Sequence, residues 1–273
     1  MVKGELTEWV LSATIKSMET RMKKISIIIP AHNEEQRIGR TLQAYGAFFA
    51  DLHDQELLEA EIVVVLNGCS DSTLTVVQQK QRSLANLHIV NLPQAGKGLA
   101  IKAGFAHALE RDSDFISFVD ADMATSPQAF YDLVCNVADY EGIIASRYMR
   151  GARIWPARPW IKRWGSKLVY ESLVRLLLGL KYADLQCGAK IFSRRSVETV
   201  LPHLSVGQWA FDVELLYLCK KFGLSVREFP TVWRDQAGSK LRLSAGFDML
   251  AAIIKLRIAH VGLRKKNRTE RER

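Results

Sequence analysis

Two short runs in the first quarter of the chain are apolar without interruption. Ile27-Ile28-Ile29 and Ile62-Val63-Val64-Val65 consist only of β-branched aliphatic residues. A strand with one face in water alternates apolar and polar residues, whereas a parallel strand covered on both faces reads as a continuous apolar run. The two runs therefore predict buried, parallel strands inside an α/β fold.

Strands and helices alternate through the first half of the chain. Strands are predicted at 25–30, 61–66, 87–92, 114–119 and 142–146. Apolar residues at helical spacing lie between strands, at Ile38, Leu42, Tyr45 and Phe49 and at Phe130, Leu133, Val134 and Val137. Repeated strand–helix–strand units form a parallel, doubly wound sheet with right-handed crossovers. The predicted fold class is α/β, with a mostly parallel, Rossmann-like central sheet flanked by helices.

Polar clusters follow four of the predicted strands at the point where each strand ends. They are Pro30-Ala31-His32-Asn33-Glu34, Asn67-Gly68-Cys69-Ser70-Asp71, Gln94-Ala95-Gly96-Lys97-Gly98 and Asp120-Ala121-Asp122. Ligands of doubly wound sheets bind outside the carboxyl ends of the strands. These clusters are therefore predicted to meet at one edge of the sheet, although they are far apart in sequence.

Asp120 and Asp122 are the candidates for binding a divalent metal ion. Two carboxylates separated by one small residue can hold a hard cation such as Mg²⁺ or Mn²⁺, which typically also binds the phosphates of a substrate. The alternative is a helix N-cap pair, because Thr125-Ser126-Pro127 follows. The position after a buried strand, beside three other polar clusters, favours the metal.

Two other clusters allow both a functional and a structural interpretation. Lys97 lies between Gly96 and Gly98 ahead of a helix, where it could contact a phosphate or be a solvated loop lysine. Asn33 and Glu34 could line a ligand pocket or form the cap and first turn of the next helix. Local sequence does not decide between these interpretations.

Several blocks of the sequence together resemble glycosyltransferase family 2, whose members have the GT-A fold. In the first half these are Pro30-Ala31-His32-Asn33-Glu34, Gly96-Lys97-Gly98 and Asp120-Ala121-Asp122. In the second half they are Gln186-Cys187-Gly188-Ala189-Lys190-Ile191-Phe192, the stretch 209–216, Trp233 and Gly238-Ser239-Lys240-Leu241. The second-half blocks are the more specific, and they resemble the dolichyl-phosphate β-glucosyltransferases and other polyprenyl-phosphate sugar transferases. The resemblance covers about 24–258, nearly the whole chain.

The resemblance implies roles for residues in both halves. Asp120 and Asp122 would hold Mg²⁺ or Mn²⁺ on the donor diphosphate. Catalytic roles are implied for Asp122, Asp184, Asp212 and Arg147. Substrate-binding roles are implied for Pro30, Asn33, Glu34, Asn67, Asp71, Lys97, Gln186, Glu214, Arg234, Ser239 and Lys240. Many relatives have Asp-Asp-Gly-Ser where this chain has Leu66-Asn67-Gly68-Cys69, so the choice between uridine and guanosine stays open.

The implied reaction is an inverting transfer of a sugar from a nucleotide sugar, with UDP-glucose favoured, to a polyprenyl or dolichyl phosphate. An acceptor phosphate monoester, with a second pKa of about 6, is already a nucleophile at neutral pH. The protein then has to position the reactants and neutralise the departing diphosphate. A chain rich in Arg, Lys and Asp that lacks a Ser-His-Asp arrangement fits this task.

Other functions remain as alternatives. One is a GDP-mannose-dependent polyprenyl-phosphate mannosyltransferase, and another is a non-catalytic, membrane-associated module that binds a nucleotide sugar. Phosphatases of the haloacid dehalogenase type also carry Asp-x-Asp after a strand, but Ala124 stands where they have Thr or Val. No nucleic-acid partner is expected, because the chain shows no recognised nucleic-acid motif.

The region after Arg147 has the composition of a membrane interface. Trp155, Trp160 and Trp164 lie among basic residues in a chain of net charge +9. The stretch 166–182 predicts an amphipathic helix that either lies in a headgroup layer or packs on the core. Its predicted apolar face consists of Val169, Leu173, Leu176, Leu177 and Leu180.

A cytoplasmic protein, peripheral to a membrane, is the expected localisation. No segment reaches the roughly 20 apolar residues of a spanning helix, and 1–22 lacks the pattern of a signal peptide. Interfacial helices, the basic tail or a membrane protein partner would then hold the chain at the membrane. The predicted organisation is a helical extension (1–23), a GT-A domain (24–260) and a basic tail (261–273). Within the domain, 24–146 would bind the nucleotide sugar and 147–260 the acceptor.

Overall fold

A seven-stranded sheet forms the centre of the computed structural model, which describes residues 22–156, 172–208, 210–235 and 253–263. Its strands are β1 (Lys24–Ala31), β2 (Glu59–Asn67), β3 (Leu87–Leu92), β4 (Phe115–Val119), β5 (Gly142–Ser146), β7 (Ala189–Ser193) and β8 (Val226–Pro230). The order across the sheet is β3-β2-β1-β4-β7-β5-β8. Only β7 is antiparallel to its neighbours, β4 and β5. The prediction of a mostly parallel sheet is confirmed, and all five predicted strands are present.

Helices cover both faces of this sheet. They are α1 (Ile38–Asp54), α2 (Thr73–Gln81), α3 (Lys97–Leu109), α4 (Pro127–Cys135), α5 (Arg194–Val200) and α6 (Phe211–Lys221). A 3-10 turn follows α5 at Leu201–His203, and residues 172–178 and 253–259 are also helical.

Alternate residues of each central strand enter two different apolar cores. Ile27 and Ile29 pack in the core that includes α1, α2 and α4, whereas Ile28 packs in the core that includes α3 and α6. In the same way, Val64 packs in the first of these cores and Val63 in the second. Because both faces of the strands are covered, no position along them can be polar without a partner, and the continuous apolar runs follow from this.

Two further strands form a small parallel ribbon beside the main sheet. The ribbon consists of β6 (Arg153–Trp155) and β9 (Val232–Arg234). Trp233 of β9 also makes an antiparallel bridge to Thr125, and the Arg234 amide donates to the Ala124 carbonyl at 2.8 Å. These bonds fix the ribbon against the segment that follows Asp122.

The predicted amphipathic helix at 166–182 is shorter at its carboxyl end than expected. Helical structure ends at residue 178 because Gly179 has φ +65°, the left-handed conformation that commonly ends a helix. Leu180 therefore lies beyond the helix and is buried rather than on its apolar face. Leu176 is 79% exposed, and the buried residues of the helix are Val174 and Leu178.

Part of the predicted interface lies outside the described residues. This applies to Trp160, Trp164, Val169, the extension at 1–21 and most of the basic tail. Within the described ranges, no helix has the length and apolar character needed to cross a membrane.

Candidate functional site

The ends of the first four strands meet at one edge of the sheet, as the sequence predicts. The buried Asn67 amide joins three of them, because its Nδ2 donates to the Ala31 carbonyl at 2.9 Å and its Oδ1 accepts from the Gly96 amide at 3.0 Å. Lys97 then joins the third strand end to the fourth, with its Nζ 2.6 Å from Oδ1 of Asp120. Asn67 thus holds two loops in place through both ends of its side chain.

The loops after β1 and β2 are tied together by side chains predicted to bind substrate. Asn33 has φ 55° and accepts a hydrogen bond from the Ser70 amide at 2.8 Å. Asp71 accepts bonds from the Thr73 amide at 3.0 Å and from the Glu35 amide at 3.2 Å. Although partial burial acts in the opposite direction, the hydrogen bonds from the Thr73 side chain and amide lower the pKa of Asp71. Asp71 is therefore a carboxylate at neutral pH.

Glu34 forms a bidentate ion pair with Arg37, which is not among the predicted site residues. The distances are 2.6 Å from Nε to Oε2 and 2.7 Å from Nη2 to Oε1. Burial and the charge of Asp120 raise the pKa of Asp122, and the charge of Arg37 opposes them more weakly. The i,i+3 spacing of an acid and an arginine was the signal available in the sequence.

Helix α1 holds the Asp120-Ala121-Asp122 turn in position. The Thr41 hydroxyl donates to the Ala121 carbonyl at 2.6 Å, and the buried Tyr45 hydroxyl donates to the Thr125 carbonyl at 3.0 Å. Within the turn, Oδ1 of Asp122 accepts from the Ala124 amide at 2.9 Å. Burial, followed by the nearby charge of Asp120, raises the pKa of Asp122. A second negative charge is therefore unfavourable at this point unless a cation is present.

These two carboxylates fit a divalent cation that shares its ligands with a substrate. Carboxylate oxygens are the ligands that Mg²⁺ and Mn²⁺ prefer, and a cation would relieve the repulsion between Asp120 and Asp122. The described residues contain no cluster of three or more His, Cys, Asp or Glu that could hold an ion by themselves. The donor set suits an ion whose remaining ligands are phosphate oxygens and water.

Gly188 allows Asp120 to occupy its position. A Cβ atom at residue 188 would lie 1.8 Å from Oδ2 of Asp120, which is far inside van der Waals contact. Gly188 directly precedes β7, the antiparallel strand that lies beside β4. The glycine in the sequence block 186–192 therefore makes room for a carboxylate of the predicted metal site.

Two lysines and two aspartates form a line of alternating charge from the site into the core. Lys97 pairs with Asp120, and the buried Lys190 pairs with Asp212 at 2.6 Å. Burial alone would lower the pKa of Lys97, but the charges of Asp120 and then Asp212 raise it above its ordinary value. Lys97 is thus a fixed cation at the edge where phosphates are predicted to bind. Lys190 was not among the predicted site residues.

Arg147 and Asp184 form a second buried ion pair. Nε of Arg147 lies 2.7 Å from Oδ2 of Asp184, and Nη2 lies 2.9 Å from Oδ1. The guanidinium also stacks over the Trp233 ring, with 4.9 Å between its carbon and the ring centroid. Although burial acts in the opposite direction, the charge and hydrogen bonds of Arg147 lower the pKa of Asp184. Asp184 is 2% exposed and accepts bonds from both the side chain and the amide of Arg147.

The remaining predicted site residues differ in burial, and two of them lie outside the described residues. Glu214 is fully buried and accepts hydrogen bonds from the Ser205 and Val206 amides. It also lies 2.9 Å from Nε2 of His260, so it connects a loop to the end of a helical segment. Pro30, Gln186 and Arg234 are at least partly accessible near the site edge. Ser239 and Lys240 lie outside the described residues.

The chain resembles known proteins over most of its length. The sequence model described as "Glycosyl transferase family 2" matches residues 26–201, more than half of the chain. The chain is 29% identical over 245 residues to dolichyl-phosphate beta-glucosyltransferase ALG5A of Trichomonas vaginalis, covering 86% of this chain and 73% of that protein. It is 31% identical over 231 residues to the dolichyl-phosphate beta-glucosyltransferase of Drosophila melanogaster, covering 80% of this chain and 69% of that protein.

Solved structures share the fold at low sequence identity. Glucosyl-3-phosphoglycerate synthase from Mycobacterium tuberculosis, in complex with Mn²⁺, uridine diphosphate and phosphoglyceric acid, superposes with a TM-score of 0.62 at 18% identity. The match covers 89% of this chain and 80% of that one. The same enzyme in complex with Mn²⁺, UDP-glucose and phosphoglyceric acid gives a TM-score of 0.61 at 18% identity, covering 89% and 81%. The Rossmann-like sheet predicted from the sequence is therefore the fold of known sugar transferases.

Proposed function

The chain belongs to glycosyl transferase family 2, and from this we propose that it transfers glucose from UDP-glucose to dolichyl or another polyprenyl phosphate, with inversion at the sugar. One observation carries the proposal: Asp120, Asp122 and the cationic Lys97 converge at the carboxyl edge of the sheet. This edge is where doubly wound folds bind nucleotides. The names of the matched relatives supply the choice of acceptor.

The charges of the site suit the departure of a nucleoside diphosphate. Asp120 and Asp122 would hold Mg²⁺ or Mn²⁺, which would neutralise the diphosphate when bound. Lys97 supplies a second positive charge, and the nearby negative charge of Asp212, which is itself paired with Lys190, favours the charged form of Lys97. Such electrostatic stabilisation of a leaving group is the main catalytic contribution available to these residues.

The acceptor does not require a strong general base in the protein. A polyprenyl phosphate has a second pKa of about 6 and is therefore largely a dianion at neutral pH. We assign Arg147 to a substrate phosphate, with Asp184 as its positioning partner. We assign Asn33, Glu34 and Asp71 to the nucleotide pocket, where their bonds to one another hold the two loops together. Residues 24–146 would bind the donor and 147–260 the acceptor.

We place the reaction at the cytoplasmic side of a membrane. Large apolar side chains are exposed on the helical segments 172–178 and 253–259 and just after them, where Leu176, Ile258 and Val261 are 79%, 68% and 67% exposed. Arg257 lies among them and donates to the Leu177 carbonyl. Apolar side chains beside basic ones suit an anionic headgroup layer. The four cysteines are free thiols, as is usual in a reducing compartment.

Incubation of the protein with Mn²⁺, dolichyl phosphate and a panel of nucleotide sugars tests this function. We expect a β-linked glucosyl lipid from UDP-glucose, loss of product in Asp122→Asn, and normal activity in Asp139→Asn. Asp139 is an exposed aspartate in the turn between α4 and β5, at the opposite end of the sheet from the site. An α-linked product would contradict inversion, and full activity of Asp122→Asn would contradict the metal site.

Two outcomes of the same experiment would replace the proposal by a second one. Product from GDP-mannose alone would identify a polyprenyl-phosphate mannosyltransferase. Where many relatives have an acid, this chain has the buried Asn67, whose side-chain amide is bonded within the protein. This departure keeps the mannosyltransferase as a second candidate. Binding of a nucleotide sugar without any product would identify a non-catalytic module.

A further inference from the structure

The ribbon of β6 and β9 has one buried face and one exposed face. Ile154 pairs with Trp233, and both pack against the core that includes α1. Arg153 pairs with Val232, and Trp155 pairs with Arg234. Because paired residues of adjacent strands point to the same side, and side chains alternate along each strand, these four share the opposite face. These four residues and Ile154 line an open pocket of about 580 Å³ at the surface.

The exposed face combines two cations with apolar surface. Trp155 is 74% exposed and Val232 is 46% exposed, so apolar surface lies beside the two cations. Within the described ranges, neither Arg153 nor Arg234 has a carboxylate at ion-pair distance. The two guanidinium groups are therefore available to bind an anion from outside the chain.

This face lies next to the predicted metal site. The Arg234 amide donates to the Ala124 carbonyl at 2.8 Å, and Ala124 donates its own amide to Asp122 at 2.9 Å. Trp233, between Val232 and Arg234, lies on the buried face of the ribbon, and its ring contacts the guanidinium of Arg147 there. A ligand on the exposed face would thus lie beside the segment that holds the donor diphosphate.

We propose that the face formed by Arg153, Trp155, Val232 and Arg234 binds the polyprenyl phosphate acceptor, with the two arginines on its phosphate and the apolar pair on its first isoprene units. The inference rests on the proposed function and adds the site at which the acceptor is held. A phosphate dianion matches two guanidinium groups that have no carboxylate partner among the described residues, and an isoprenoid chain matches an exposed indole and valine. A nucleotide sugar or inorganic phosphate would leave the apolar half of this face unused.

Binding of farnesyl phosphate, a short soluble isoprenyl phosphate, tests the inference by calorimetry. Arg153→Gln and Arg234→Gln should each raise its Kd about tenfold, since each removes one charge-assisted interaction. Trp155→Ser should also weaken the binding of farnesyl phosphate. Binding of UDP with Mn²⁺ should change less than about twofold in all three variants, which also shows that they are folded. Arg82→Gln is the matched control, because Arg82 is an exposed arginine just after α2, away from the ribbon.

Two ligand controls distinguish an acceptor site from a general anion site. Farnesol should bind much more weakly than farnesyl phosphate, and inorganic phosphate should not displace farnesyl phosphate at equal concentration. Displacement by equal inorganic phosphate, or unchanged Kd in both arginine variants, would overturn the inference. If farnesyl phosphate binding depends on the arginines but no sugar is transferred, the proposed function fails while the site stands. If sugar is transferred with an unchanged acceptor KM in the arginine variants, the site fails while the function stands.

Discussion

The ammonium group of Lys190 lies 2.6 Å from Oδ1 of Asp212 in a part of the protein that water does not reach. The same ammonium donates to the Cys187 carbonyl at 2.6 Å and lies 5.3 Å from the centroid of the Phe118 ring. Lys190 is on β7 and Asp212 is near the start of α6, so the pair joins the central sheet to a helix. The charge of Asp212 also helps to raise the pKa of Lys97 at the site.

Lys190→Met is expected to destabilise the protein by about 3–5 kcal/mol, because it leaves Asp212 buried without its counter-charge. Urea unfolding monitored by circular dichroism measures this change. The double variant Lys190→Met/Asp212→Leu should recover a large part of the loss, because it removes both charges together. Lys181→Met, at an exposed lysine, should change stability by less than about 0.5 kcal/mol. A similar small effect of Lys190→Met would show that the ion pair is not important for the fold.

Gly188→Ala is expected to abolish Mn²⁺-dependent UDP binding while leaving the protein folded. The new Cβ would meet Oδ2 of Asp120 at 1.8 Å, so the carboxylate must turn away from its position. The matched control is Gly262→Ala, because a Cβ at residue 262 meets no atom within 4 Å. Calorimetry with UDP and Mn²⁺ compares the two variants. Equal affinity in both would mean that the position of Asp120 is not needed for the metal site.

Lys97→Met is expected to separate binding of the nucleotide from binding of the metal. Lys97 pairs with Asp120 at 2.6 Å and therefore competes with a cation for this carboxylate, so its removal should leave Mn²⁺ affinity unchanged or higher. UDP affinity in the presence of Mn²⁺ should fall about 10- to 100-fold, as expected for loss of one hydrogen bond to a charged group. Electron paramagnetic resonance of Mn²⁺ and calorimetry of UDP measure the two affinities. Loss of Mn²⁺ binding without UDP would contradict this division of roles.

The strands and the converging polar clusters could be predicted because they depend on local pattern. Continuous apolar runs indicate strands buried on both faces, and the rule for carboxyl ends of parallel strands then places residues 30–34 beside 120–122. The small ribbon could not be predicted, since β6 and β9 have three residues each and pair across a long stretch of sequence. Short strands of this kind carry too little pattern to be recognised.

The partners of the buried charges were harder to predict than the charges themselves. Asp212 and Glu214 were both expected to bind substrate or take part in catalysis, yet two residues apart on a helix they point in different directions. In the structure Asp212 faces Lys190, whereas Glu214 faces Ser205 and His260. Which partner neutralises a buried acid is decided by tertiary packing, and no spacing along the chain records it.

Asp184→Asn is expected to reduce stability in a manner that depends on pH. The charge of Arg147 holds the pKa of Asp184 below its ordinary value of about 3.9, so the pair stabilises the folded protein at pH above that value. The wild-type chain should therefore exceed Asp184→Asn by about 3–5 kcal/mol at neutral pH, the usual cost of breaking a buried pair. As pH falls through the lowered pKa, Asp184 takes up a proton, and the difference should shrink. Urea unfolding at a series of pH values from neutral to acidic measures the difference, with Asp139→Asn as the control that should follow the wild type throughout. A difference that stays constant into the acid range would show that Asp184 is not the group that titrates.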